Sequence, residues 1–151
     1  MKIVVDDLSG PEISAFLQEH VKEMQAITPP ESKHALDLDG LRKPEITFWS
    51  VYDSGRLVGC GALKELDTSS AELKSMRTAQ HAKRRGVASA LVDHILAEAR
   101  RRRYARLYLE TGAAEFFAPA RALYAKFGFM PCQPFAGYRE DPNNVYMAKV
   151  L

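Results

Sequence analysis

A mixed α/β sheet with helices on both faces is the fold this sequence predicts, and three observations predict it. Short β-branched or aromatic runs recur along the chain, longer stretches of helical periodicity lie between them, and no linker or repeat divides the whole. At 151 residues, 46% hydrophobic and 26% charged, the chain suits one domain, residues 1–151, around one core.

Each element has a local cause. Lys2–Val5 (KIVV) reads as a first strand. Ser9-Gly10-Pro11 opens a helix, because proline near the first position loses no helical hydrogen bond; Ile13, Phe16, Leu17, Val21 and Met24 form its apolar stripe. Thr28-Pro29-Pro30 ends it, and the polar stretch to Pro44 holds a short helix around Ser32–Leu38. Ile46–Tyr52 is a strand, and Asp53-Ser54-Gly55 turns it back into Arg56–Lys64. Ala71–Thr78 is the next strand. Val87–Arg103 is the strongest helix, with Val87, Leu91 and Ile95 on one face. Arg106–Glu110 is a strand, Ala118–Phe127 a second amphipathic helix and Val145–Lys149 the last strand.

Composition excludes several classes. Nine glycines and eight prolines are too few for collagen or low complexity. Cys60 and Cys132 lie far apart without a CxxC pair, so neither a zinc ribbon nor a thioredoxin-type motif is expected, and the composition is not that of a disulfide scaffold. His20, His34, His81 and His94 lack metal-ligand spacing, so no metal is expected. The opening MKIVVDDLSG carries acids where a signal peptide would be apolar, and no apolar run approaches ~18 residues. A soluble, cytoplasmic protein away from membranes is expected.

Charge is unevenly placed. The chain is +2 overall, yet residues 83–106 hold eight basic side chains against Asp93 and Glu98. Such a segment suggests an anionic partner, either nucleic acid or a phosphorylated small molecule. Arg100–Arg103 sit at a helix C-terminus, where cations complement the dipole, and a solvated face accounts for them. Lys83-Arg84-Arg85 sit at the N-terminus of that helix, where each cation costs a few tenths of a kcal/mol or more. A bound anion would remove that cost. Free backbone N–H groups, Gly86 and flanking cations together describe a phosphate site, although neither GxxxxGK[ST] nor GxGxxG is present.

This turn, Lys83-x-x-Gly86-x-Ala88 followed by Ser89, resembles the [RQ]xxGx[GA] acetyl-coenzyme A signature of the GNAT superfamily of N-acetyltransferases. It departs from that signature in Lys83, where the family usually has Arg or Gln, and in Arg84, where Gly is common. Downstream, Ala120–Phe129 (ARALYAKFGF) is similar to the family's A..LY.k.GF motif. Part of that motif has a structural account: Gly128 can close a helix and Phe129 pack back on Leu123 or Tyr124. Strand 71–78 looks like the family's fourth strand. CGALKELD at 60–67 and LETG at 109–112 look like a bacterial subgroup.

The resemblance implies a mostly antiparallel GNAT-like sheet and acetyl transfer from acetyl-CoA to the amine of a small acceptor, with no metal. Met76, Arg77 and Thr78 would lie along the pantetheine arm; Lys83, Arg84, Arg85, Gly86, Val87, Ala88 and Ser89 would hold the pyrophosphate. Tyr124 would protonate the departing thiolate, unless its hydroxyl is merely a satisfied core group. Glu72 is the expected base, with Glu110 and Glu65 as rivals acting through water. The acceptor would bind against 25–44, where His34 and Arg42 are candidate contacts beside Asp37 and Asp39. Trp49 is a pocket wall or, more simply, core. Acceptor identity stays open, with an amine or amino-acid-like compound favoured over a protein tail, and so does a homodimer through a sheet edge. Two rivals stand: a degenerate domain that binds acyl-CoA without catalysis, and a nucleic-acid-binding module. The second has only Tyr104 as a stacking aromatic among its arginines.

Overall fold

The computed structural model describes residues 1–27 and 38–151. In chain order the elements are β1 (Lys2–Val5), α1 (Pro11–Ile27), α2 (Leu38–Leu41), β2 (Ile46–Asp53), β3 (Arg56–Glu65) and β4 (Ser70–Thr78). There follow α3 (Val87–Arg101), β5 (Arg106–Gly112), α4 (Ala118–Lys126), β6 (Met130–Pro131) and β7 (Asn144–Val150). The strands form one seven-stranded sheet in the order β1-β2-β3-β4-β5-β7-β6. Every neighbouring pair is antiparallel except β4 with β5. No helix among the described residues is long and apolar enough to cross a membrane.

The expected α/β class, mostly antiparallel with helices on both faces, is the one observed, and the differences are local. The hairpin after β2 turns on Ser54 and Gly55, both at positive φ (53° and 79°), the geometry that matches strand twist. Helix α3 stops two residues short of the expected end. Arg103 takes the left-handed conformation at φ 64°, and the Tyr104 N–H reaches back to the Ala99 carbonyl at 3.1 Å, which closes the helix. The expected helix at 32–38 lies outside the described residues up to position 37, as does the helix end at Thr28-Pro29-Pro30; α2 begins at Leu38. Strand β6 was not expected, since two residues carry no readable period.

Helices α1 and α3 lie on opposite faces of the sheet, as the side chains of consecutive residues on β4 show. Met76 points toward α3, whose close approach depends on Gly61: a Cβ there would come within 2.5 Å of Met76 Sδ and 2.9 Å of Leu91 Cδ2. Arg77 points toward α1, pairing with Glu23 at 3.0 Å and Glu19 at 3.4 Å and lying 4.8 Å over the Phe16 ring. Leu63, Leu73, Leu91, Ile95 and Leu107 fill the core between these layers. The arginines ending α3 behave as expected. Arg101 and Arg102 pair with Glu98 at 2.5 and 2.7 Å, which pulls that carboxyl down to about 2, and Arg102 also donates to Thr47.

One irregularity positions the site. Cys60 faces Arg77 and Ala62 faces Lys74, so Ser75 and Met76 together oppose Gly61 as a bulge, with Ser75 at φ 59°. A bulge sharpens local twist and bends its strand. Strand β4 pairs with β5 only over Ser70–Leu73 and Arg106–Leu109. Beyond those residues the edge of β4 that faces β5 has no strand partner, and the parallel pair opens into a fork.

Candidate active site

A cavity of about 430 Å³ occupies this fork. Its lining includes Leu73, Ser75 and Met76 of β4, Leu109–Gly112 of β5, Tyr124 of α4, His20 of α1 and Leu41 of α2. A volume of this size accommodates a small molecule.

Tyr124 is delivered by a short helix with defined ends. Proline lies in the first turn of α4, and Gly128 at φ 94° follows the last. The Phe129 N–H bonds back to the Tyr124 carbonyl at 3.0 Å, and the two rings meet edge to face at 5.9 Å. The structural part of the ALYAKFGF motif is therefore observed. The hydroxyl needs a separate account, because Tyr124 is 6% exposed and its hydroxyl forms no hydrogen bond with a described residue. Burial pushes its pKa well above the ordinary tyrosine value, so at neutral pH it is a protonated donor facing the cavity.

Glu72 reaches the same cavity from β4. It is 3% exposed and stands in register between Lys64 of β3 and Tyr108 of β5. One carboxylate oxygen, Oε2, accepts a hydrogen bond from the Tyr138 hydroxyl at 2.9 Å. Tyr138 belongs to the loop between β6 and β7, which turns back at Ala136 and Gly137 (φ 50° and 83°) and is closed by the Tyr138 N–H on the Phe135 carbonyl. Phe135 stacks on Tyr108 at 4.9 Å, and Tyr138 packs on Phe135 and Tyr146. The loop is thus fastened over Glu72 by rings as well as by the hydroxyl. Burial, and then the charge of Glu72, raises the Tyr138 pKa.

The other expected residues divide. Glu110 lines the cavity. Glu65 does not: it is exposed and accepts from the Tyr104 hydroxyl at 2.6 Å. Arg42 also lies outside the lining. It pairs with Asp39 at 3.2 Å and donates to the Leu8 carbonyl at 2.7 Å, tying α2 to the loop after β1, and its neighbour Lys43 lines the cavity instead. His34 falls outside the described residues. Trp49 is core, 3% exposed and edge-on to His94. On the distal part of β4, Met76 lines the cavity, and Thr78 pairs with Gly59. The guanidinium of Arg77 is committed to α1, which leaves only its backbone for any ligand. Cys60 is fully buried, its thiol pushed up to about 12 by desolvation and donating to the Ser75 carbonyl at 3.3 Å. No cluster of three or more His, Cys, Asp or Glu suited to a metal occurs among the described residues.

The basic turn lies between β4 and α3. Gly86 caps the helix at φ 80°, and Arg84 is also left-handed at φ 66°, a conformation costing a non-glycine residue about 1 kcal/mol. The first bond of α3 is donated by Ala90 to the Gly86 carbonyl at 3.0 Å, so the N–H groups of Val87, Ala88 and Ser89 precede the helical ladder. Lys83, Arg84 and Arg85 are exposed, and none pairs with an acid among the described residues; the Lys83 ammonium lies 5.5 Å over the Phe116 ring. Unsatisfied N–H groups, unpaired cations and open space around Gly86 fit a pyrophosphate.

Comparison with known proteins agrees with this geometry. Residues 13–129 match the model of the acetyltransferase (GNAT) family. The chain is 54% identical to the uncharacterized N-acetyltransferase YsnE of Bacillus subtilis over 100% of both chains. It is 48% identical to the uncharacterized N-acetyltransferase YedL of Escherichia coli, over 99% of this chain and 94% of that one. Among solved structures, an acetyl-CoA-bound GNAT family acetyltransferase from Elizabethkingia anophelis superposes with a TM-score of 0.71 at 17% identity, covering 99% of this chain and 97% of that one.

Proposed function

The chain belongs to the acetyltransferase (GNAT) family, and on that premise we propose that it moves an acetyl group from acetyl-CoA to the amine of a small acceptor by direct attack on the thioester. The observation that carries the proposal is Tyr124: a protonated hydroxyl with no partner among the described residues, facing the cavity at the fork. A purely binding domain has no use for a desolvated donor there.

Acetyl-CoA supplies the activated acyl group when bound. This chain's residues do the rest. N–H groups of Val87, Ala88 and Ser89, with Lys83, Arg84 and Arg85, hold the pyrophosphate at the start of α3. The unpaired edge of β4 from Lys74 to Thr78 offers backbone groups to the pantetheine arm, and a backbone N–H there stabilises the oxyanion that develops on the thioester oxygen. Glu72, directly or through a water, takes a proton from the incoming ammonium. Tyr124 gives its proton to sulfur. In sum an N–C bond forms and the C–S bond breaks with its electron pair left on sulfur; of the two protons the acceptor ammonium loses, one goes to Glu72 and the second replaces the proton that Tyr124 gave to sulfur. The whole chain acts as one such domain, in the cytoplasm.

Thermal unfolding with acetyl-CoA, set against a short DNA duplex at moderate salt, tests donor binding first. Ligand binding to the native state alone adds about 2.7 kcal/mol at a hundredfold excess over Kd. The proposal expects a clear rise in Tm with acetyl-CoA and none with DNA. A DNA-only shift would return the basic turn to nucleic acid and overturn it.

A further inference from the structure

The cavity holds more charge than the chemistry above uses. Lys43, Lys64 and Lys74 line it together with Glu45, Glu72 and Glu110. None of the three lysines forms an ion pair with a carboxylate among the described residues. Lys64 and Lys74 are half-buried, so part of their hydration is already lost without a counter-charge in exchange. Cations placed this way beside a recessed carboxylate suit a ligand that carries both signs. The strand register fixes the spacing. Lys64 and Glu72 are directly paired across β3 and β4, and Lys74 follows two residues later on the same face. Paired Cα atoms lie about 5 Å apart, which suits a ligand whose two heads are close together.

We propose that the acceptor is an amine bearing a nearby carboxylate, of the α- or β-amino acid type, its ammonium directed to Glu72 and its carboxylate held by Lys64 with Lys74 and Lys43. This assignment rests on the acetyl-transfer reading and adds the substrate class. The Tyr138 hydroxyl takes up one oxygen of Glu72 and leaves the other for the ammonium. Arg42 contributes nothing to the carboxylate site, because its guanidinium is engaged with Asp39 and Leu8.

The test compares three sets of acceptors with the intact protein: free amino acids, their α-amides and the corresponding amines without a carboxylate. Release of free thiol from acetyl-CoA is followed for each. The acids are expected to be acetylated with the highest kcat/KM. Lys64→Gln is expected to raise KM for the acids by about tenfold or more, and to leave the amides unchanged. Lys64→Arg should restore part of the loss, and an unchanged acetyl-CoA affinity shows that the variants are folded. Equal use of amides or plain amines, or indifference to Lys64→Gln, overturns the inference while transfer itself stands. Preference for O-phosphoethanolamine over β-alanine overturns the carboxylate in favour of a phosphate. If no acceptor is turned over, the transfer reading fails, and calorimetry on the CoA-loaded protein decides this one separately: binding of the acid but not the amide supports it, and binding of neither overturns it.

Discussion

Tyr124→Phe is expected to lower kcat by about 100- to 10,000-fold, the range spanned by loss of a general acid, with acetyl-CoA affinity unchanged. The reason is geometric. The ring packs edge-on to Phe129 and remains in place when the oxygen is removed, so donor binding has no cause to change. The hydroxyl forms no hydrogen bond with a described residue, so the fold loses no bond with it. A structural tyrosine would show the opposite signature, a fall in stability with activity retained. Replacing the donor by an acetyl thioester of a more acidic thiol should recover much of the lost rate, since such a leaving group needs no proton. A variant that keeps full activity, or one equally slow with both donors, removes Tyr124 from the acid role.

Glu72→Gln should cost a comparable factor, and its size should depend on pH. The amide oxygen introduced by this substitution can still accept from Tyr138, so the strap over the cavity is retained, whereas proton acceptance is lost. The base matters most where the acceptor amine is protonated. At high pH the free amine attacks unaided, and the deficit should shrink. Steady-state rates for both proteins across the pH range check this: a ratio that converges toward alkaline pH supports Glu72, and a constant ratio passes the role to Glu110. Glu65 accepts from the Tyr104 hydroxyl and lies outside the cavity lining.

Much of this was legible along the chain because it depends on local periodicity. The stripe through Val87, Leu91 and Ile95 defined α3, and alternation with turn residues defined the hairpin at Ser54-Gly55. The cations of the 83–85 turn were readable as electrostatically misplaced, and the structure finds them unpaired among the described residues. Illegible features depend on register and distance. A bulge at Ser75 and the early end of β4–β5 pairing create the fork, and neither alters residue type in a recognisable way. Arg42 and Lys43 look alike in sequence, yet one is spent on the Leu8 carbonyl and the other faces the cavity. Tyr138 was missed altogether. Phe135–Tyr138 (FAGY) reads as a turn, and nothing in it identifies a carboxylate 66 residues away as its partner.

The most direct test of the account is acceptor-dependent release of free thiol from acetyl-CoA by the wild-type protein, with the acetylated product identified by mass spectrometry. A pool of small amines and amino acids serves as acceptor, and Tyr124→Phe as the control. The account predicts thiol release that needs the acceptor, yields an N-acetyl product and falls to near background in the variant. Acetyl-CoA bound by the folded protein without acceptor-dependent release from any member of the pool would contradict it, and would leave a domain that binds the donor and transfers nothing.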